Sequence, residues 1–190
     1  MCIRDRNKVD DVEAFVGSSL EDDRKALVQT IGENIQIRRV VTLEFDSTMN
    51  IGIYIHSDSK LGSIVAVNNG SDQIAKDIAM HISATNPLCL TSEDVDKEVY
   101  ERERAIYVSQ AEESGKPQEI MDKIIDGKMK RFLSEISLVS QSFIKDPDKT
   151  IDQLLNENNA KIVSFIRLKV GEGIEVESKN FADEVAEQLK

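Results

Sequence analysis

The stretch from residue 92 to residue 135 limits the fold more than any other part of the chain. Outside its apolar positions most of its surface is charged, including Asp96, Lys97, Glu98, Glu101, Arg102, Glu103 and Arg104. Through that charge runs a thin apolar stripe, with Val95, Val99 and Ile106 in the first half and Ile120, Met121, Ile124, Ile125 and Phe132 in the second. The spacing predicts two amphipathic helices. Between them, Glu112-Glu113-Ser114-Gly115-Lys116-Pro117 predicts a tight break. Gly115 suits the left-handed position past a helix end, and Pro117 suits the first turn of the next helix. A connection this short sets the two helices antiparallel. So narrow a stripe builds no large core, and the pair reads as a helical arm inserted between strand-bearing segments.

The core must therefore come from the flanking residues, and 190 residues are enough for one domain or two small ones. The formal net charge of −11 repels phosphate backbones and argues against direct nucleic-acid binding. No apolar run approaches the ~18 residues of a membrane span, and the start lacks a secretory apolar region. The two cysteines, Cys2 and Cys89, stand apart with no metal-ligand spacing, which favours a reducing, cytoplasmic setting.

In chain order, residues 1–6 read as an irregular start. A helix over 19–31 is expected to bury Leu20, Leu27 and Ile31 and to stop at Gly32. Residues 37–45 alternate as a strand with no obvious partner, which leaves its backbone groups and apolar face unsatisfied. Ile51, Ile53 and Ile55 alternate with Gly52, Tyr54 and His56, and Leu61, Ser63, Val65 and Val67 resume the pattern after a polar turn, predicting a hairpin. Ser71 or Asp72 caps a helix with Ile74, Ile78 and Ile82 on its buried stripe, stopped by Asn86-Pro87. After the arm, Thr150-Ile151-Asp152-Gln153 reads as a capping box that opens a short helix. A strand over 162–170 follows, with Ile162, Ile166, Leu168 and Val170 expected on one face. Phe181, Val185 and Leu189 mark a terminal amphipathic helix. Two strands before the arm and one after it make a three-stranded antiparallel sheet with covering helices, an α+β fold.

Chemistry is hard to place on this frame. No phosphate loop occurs, since Gly115-Lys116 and Gly127-Lys128 lack the rest of that pattern. Asp146, Asp148 and Asp152 lack the glycine and closing glutamate of a calcium loop. Two histidines without cysteine help are too few for zinc. His81 shares a helix face with Ile78 and reads as a packed, hydrogen-bonded imidazole, and Cys89 as a small packed hydrophobe. His56, at a strand end, reads either as a solvated side chain or as an interface contact. No nucleophile, base and orienting group converge. The reading is a non-enzyme that needs no cofactor or metal.

Several blocks nevertheless resemble one family. They are Ile31-Gly32-Glu33-Asn34-Ile35-Gln36-Ile37-Arg38-Arg39, Tyr54-Ile55-His56, Ile78-Ala79-Met80-His81-Ile82 and Ser114-Gly115-Lys116-Pro117. Gly127-Lys128-Met129-Lys130, Asp148-Lys149-Thr150-Ile151 and Val170-Gly171-Glu172-Gly173-Ile174-Glu175 continue the series. In this order, over residues 7–190, they are similar to bacterial elongation factor Ts, the guanine-nucleotide exchange factor for elongation factor Tu. The resemblance implies two α+β subdomains, a helical hairpin used for dimer contacts in some members, and a C-terminal helix. On that pattern, residues 1–48 would be a remnant of the first subdomain, helix plus strand. Residues 49–91 with 137–172 would form the second, 92–136 the hairpin, and 173–190 a C-terminal module.

The resemblance covers the C-terminal portion of the family pattern. Neither the ubiquitin-associated-like helical domain nor the Thr-Asp-Phe-Val segment, whose Asp and Phe enter the partner's G domain, has a counterpart here. Impaired exchange is therefore expected. Carried over by motif, Ile31 and Gly32 would touch the G domain of elongation factor Tu. His56 and Ile144 would face its third domain, and Phe181 and Val185 would return to the G domain. Ile31 as a buried helix end and Ile144 as a loop anchor are the structural alternatives. A second reading of the whole chain is an interaction protein that forms a homodimer through its charged hairpin.

Overall fold

The computed structural model describes residues 19–43 and 45–173. The start at 1–6, the Leu20 side chain and the terminal helix with Phe181, Val185 and Leu189 lie outside the described part. Three strands make the main sheet: β1 (Met49–Ile55), β2 (Leu61–Asn68) and β5 (Lys161–Lys169). They pair antiparallel in the order β1-β2-β5. With five α-helices among the described residues, the fold is α+β, as expected.

Helix α2 (Asp72–Thr85) lies across one face of this sheet. The Ser71 hydroxyl accepts from Ile74 N–H to start it, and Asn86, in the left-handed conformation, ends it. These local signals were legible in the sequence. Val65, Val67, Ile162 and Phe165 of the sheet meet Ile78, Ala79 and Ile82 of the helix in one core. Leu138, Phe143, Ile151 and Leu155 close it from the return segment. Each fully buried isoleucine contributes on the order of 1.5–3 kcal/mol.

The alternation of β1 was legible, but the structure decides which face is inside. Pairing Gly52 with Val65 and Tyr54 with Ser63 turns Gly52 and Tyr54 toward α2. Ile53 and Ile55 point the other way and are 55% and 66% exposed. The cause is steric. Ala75 of α2 approaches Gly52 so closely that even a methyl group there would collide with its carbonyl. Only glycine admits a helix backbone at that distance, and a glycine inside a strand is the sequence sign of such an approach.

A second correction concerns β5. The expected single face of Ile162, Ile166, Leu168 and Val170 is broken by a register shift. Ala66 pairs with Ser164, but the adjacent Val67 pairs with Ile162, so Val163 is the extra residue. A bulge of this kind reverses the side-chain parity beyond it. Ile162 and Phe165 both face the core, while Leu168 and Val170 are exposed.

Residues 142–150 form a small ladder of β3 (Ser142–Phe143) with β4 (Asp146–Thr150). It leads into α5 (Ile151–Glu157) through the expected capping box. Thr150 N–H donates to Gln153 Oε1 at 2.9 Å, and Gln153 N–H donates to Thr150 Oγ1 at 3.2 Å.

The arm consists of α3 (Lys97–Glu113) and α4 (Gln118–Ile136), with Gly115 at φ +62° in the break between them. Its own cluster is Ala111, Ile125 and Met129, flanked by Tyr107, Val108, Met121 and Phe132. Ile106 and Ile120, expected on the seam, are exposed instead. The helices touch along Tyr107 and Val108 and, one turn on, Ala111, which leaves Ile106 beside the seam. The arm joins the rest through adjacent ends. Leu88 N–H donates to Ile136 O at 2.9 Å, and Leu138 N–H donates to Cys89 O at 3.0 Å.

The N-terminal part departs most from expectation. Helix α1 (Ser19–Ile31) forms and ends at Gly32, whose φ is +77°. Leu27 and Ile31, expected to be buried, are exposed, because no described element packs extensively on that face. The strand predicted over 37–45 does not form among the described residues of that range. Apart from a single bridging residue at Val41, the described residues run irregularly. A strand exists only by continuous pairing, and among the described residues this segment pairs at Val41 alone.

Candidate partner-binding surface

The hairpin turn after β1 carries His56. Its backbone N–H donates to Leu61 O at 2.8 Å and closes the turn, and its carbonyl accepts from Ser59 N–H, also at 2.8 Å. The side chain has no place in the core. It is exposed, with Nδ1 3.0 Å from Asp58 Oδ1. The Asp58 carboxyl is held below its ordinary range first by the Lys60 backbone N–H and then by the His56 ring. His56 thus presents an oriented imidazole to solvent.

Ile144 sits in the two-residue link between β3 and β4. Phe143 before it is buried in the core, and Lys145 after it pairs with Asp77 of α2 at 2.7 Å. Held on both sides, Ile144 projects outward and is 45% exposed. A loop anchor would be buried, so the anchoring is done by its neighbours.

The strand register relates these two residues. Ser63 Oγ donates to Ala79 O, and Ser63 pairs with Tyr54, so the level of Ala79 on α2 matches the last residues of β1. His56 follows β1 directly, and Ile144 is tied to α2 at His81. Both therefore lie toward the hairpin end of the sheet. Ile31 is 53% exposed at the end of α1, which removes the reading of a buried helix end. Phe181 and Val185 lie outside the described residues.

Sequence reasoning missed one cluster. Glu172 accepts from Arg167 at 3.0 Å and from Arg39 at 3.3 Å, and its backbone carbonyl accepts from Arg38 at 2.7 Å. This draws the irregular 36–39 segment beside the end of β5, along an open depression of ≈410 Å³. The bulge in β5 is what turns Arg167 to the helix side, where its Nε also donates to Ser83 O. Alternation alone placed it on the other face.

His81 and Cys89 are placed as expected. His81 is fully buried, with both ring nitrogens hydrogen-bonded. Cys89 is buried beside Ser137, and burial pushes its thiol up. Among the described residues, no group of three or more His, Cys, Asp or Glu could hold a metal ion. None of their helices is long and apolar enough to cross a membrane.

Comparison with known proteins agrees with the sequence blocks. The family described as Elongation factor TS matches residues 3–172. Elongation factor Ts of Hahella chejuensis is 49% identical over 180 residues, covering 95% of this chain and 62% of that protein. The factor of Hydrogenovibrio crunogenus is 47% identical over 170 residues, covering 90% and 57%. That of Legionella pneumophila is 47% identical over 174 residues, covering 92% and 59%. The chain thus spans about three-fifths of the length of these curated relatives. With the match running through the sheet, the arm and the return segment, the chain belongs to the elongation factor Ts family.

Proposed function

We propose that the chain binds elongation factor Tu in the cytoplasm as a guanine-nucleotide exchange factor or a part of one, with no covalent chemistry of its own. The family match over residues 3–172 carries this reading. The unsupported exposure of His56 and Ile144 at one end of the sheet supports it, since neither side chain contributes to the core it stands beside. Residues 49–91 with 137–172 would act as the unit that docks, and Ile31, Gly32, Phe181 and Val185 would add contacts. Exchange needs only linkage. A protein that binds the nucleotide-free partner more tightly weakens nucleotide binding by the same factor.

Titration of elongation factor Tu with wild type and His56→Ala tests this, with GDP release measured beside it. The substitution should keep stability within ~0.5 kcal/mol and weaken binding by about 1 kcal/mol or more. A destabilised variant with unchanged affinity would overturn the role of His56, and a wild type that neither binds elongation factor Tu nor speeds its GDP release would overturn the proposal. A homodimer through the arm is the second reading, favoured by Ile106 and Ile120, which stand exposed on adjacent helices. Sedimentation of Ile106→Ser/Ile120→Ser against wild type separates it, since loss of a dimer follows only if the arm mediates one.

A further inference from the structure

The buried imidazole of His81 is fixed in one tautomer by its surroundings. Gln141 Nε2 donates to Glu135 O at 2.6 Å, which leaves Gln141 Oε1 turned toward α2. That oxygen lies 3.0 Å from His81 Nε2 and accepts from Thr85 Oγ1 at 2.8 Å. An amide oxygen has no proton to give, so His81 Nε2 must carry one. Nδ1 then keeps its lone pair, and Ile144 N–H donates to it at 3.3 Å. The ring also meets Phe143 at 6.1 Å between centroids.

We propose that His81 is a positioning residue for partner binding: its Nδ1 lone pair pins the Ile144 amide and thereby sets the direction in which the Ile144 side chain is presented. This rests on the reading of Ile144 as a contact to elongation factor Tu. The other tie on the turn, Lys145 to Asp77, is partly exposed and open to screening. The His81 bond is part-buried and directional, and with the pairing of Phe143 to Asp146 it fixes the backbone of the β3–β4 link. A contact residue that is already held in its bound direction loses less freedom on docking, and affinity rises accordingly.

Two substitutions separate the ring's two nitrogens. His81→Asn places an acceptor near the position of Nδ1. His81→Gln retains a donor near Nε2 but offers nothing to Ile144. These variants, Ile144→Ala and the double variant His81→Gln/Ile144→Ala are titrated against nucleotide-free elongation factor Tu. Thermal melts and amide exchange at Ile144 accompany the titrations. His81→Gln should bind about five- to tenfold more weakly and exchange faster at Ile144, while His81→Asn stays within about twofold of wild type. In the Ile144→Ala background the loss from His81→Gln should shrink below about twofold.

A loss that persists without Ile144, or a folded His81→Asn as weak as His81→Gln, overturns the proposal. Wild-type affinity in Ile144→Ala refutes the contact reading of Ile144, and failure of wild type to bind refutes the partner reading. If His81→Gln still speeds Ile144 exchange in either of those cases, His81 pins the turn without serving docking, and the proposal falls.

Discussion

Gly52→Ala tests the packing of helix on sheet. A Cβ at Gly52 would stand 2.0 Å from Ala75 O, 2.2 Å from Ala75 C and 2.9 Å from Lys76 N. All three are backbone atoms, so no side-chain rotation relieves the collision. Contact at about 3.5 Å requires α2 to withdraw by about 1.5 Å. A gap of even ~0.5–1 Å forfeits roughly a quarter to a half of the dispersion energy across it. Ile78, Ala79 and Ile82, all fully buried on α2, would lose it together. The alanine recovers less than about 1 kcal/mol by restricting the unfolded chain. The net loss should be about 3 kcal/mol, at the upper end of ordinary overpacking. In a thermal melt this is a drop of roughly 6–12 °C. Gly62→Ala is the control, since its nearest neighbour would be Tyr54 O at 3.5 Å, and it should stay within ~1 kcal/mol. A Gly52→Ala melt within about 2 °C of wild type would refute the close approach of α2.

Three further outcomes follow from the same structure. Burial is the larger influence on His81 and holds its imidazole below the ordinary value, against a smaller opposing effect of Gln141. The unfolded chain then takes up the proton first. Stability should fall as pH drops below the ordinary histidine value and level off below the folded one, and urea melts of His81→Asn should lack that slope. Thr150→Ala removes the hydroxyl that accepts from Gln153 N–H and should cost about 1 kcal/mol by chemical denaturation; no change would mean the box is ornamental. Replacing residues 92–135 with a short Gly/Ser linker should leave one cooperative transition, because 88–89 and 136–138 are already hydrogen-bonded to each other and loop closure grows by only ~0.6 kcal/mol per doubling. A lost transition would place the arm within the core's cooperative unit.

What the sequence determined by itself is whatever is settled within a few residues. The stop at Gly32, the cap at Ser71, the left-handed Asn86, the Gly115 break and the Thr150–Gln153 box are all contacts between neighbours in the chain. Their residue types are nearly sufficient to specify them. The two-helix arm belongs here too, because a short break leaves its helices no other way to lie. Ile144 entered only through the family pattern, while the strand-end position of His56 left a solvated side chain and an interface contact both open. Tertiary structure decided the rest. Alternation divides β1 into two faces, but the side that meets α2 is inside, and the collision at Gly52 permits only one answer. The bulge at Val163 exists because β5 must match β2 over its whole length, and no property of β5 alone requires it. Residues 37–45 have the composition of a strand, yet their described residues pair only at Val41, because a strand is made by its neighbour's backbone. The hold of His81 on Ile144 joins residues 63 positions apart, a distance that only the folding of the return segment onto α2 can close.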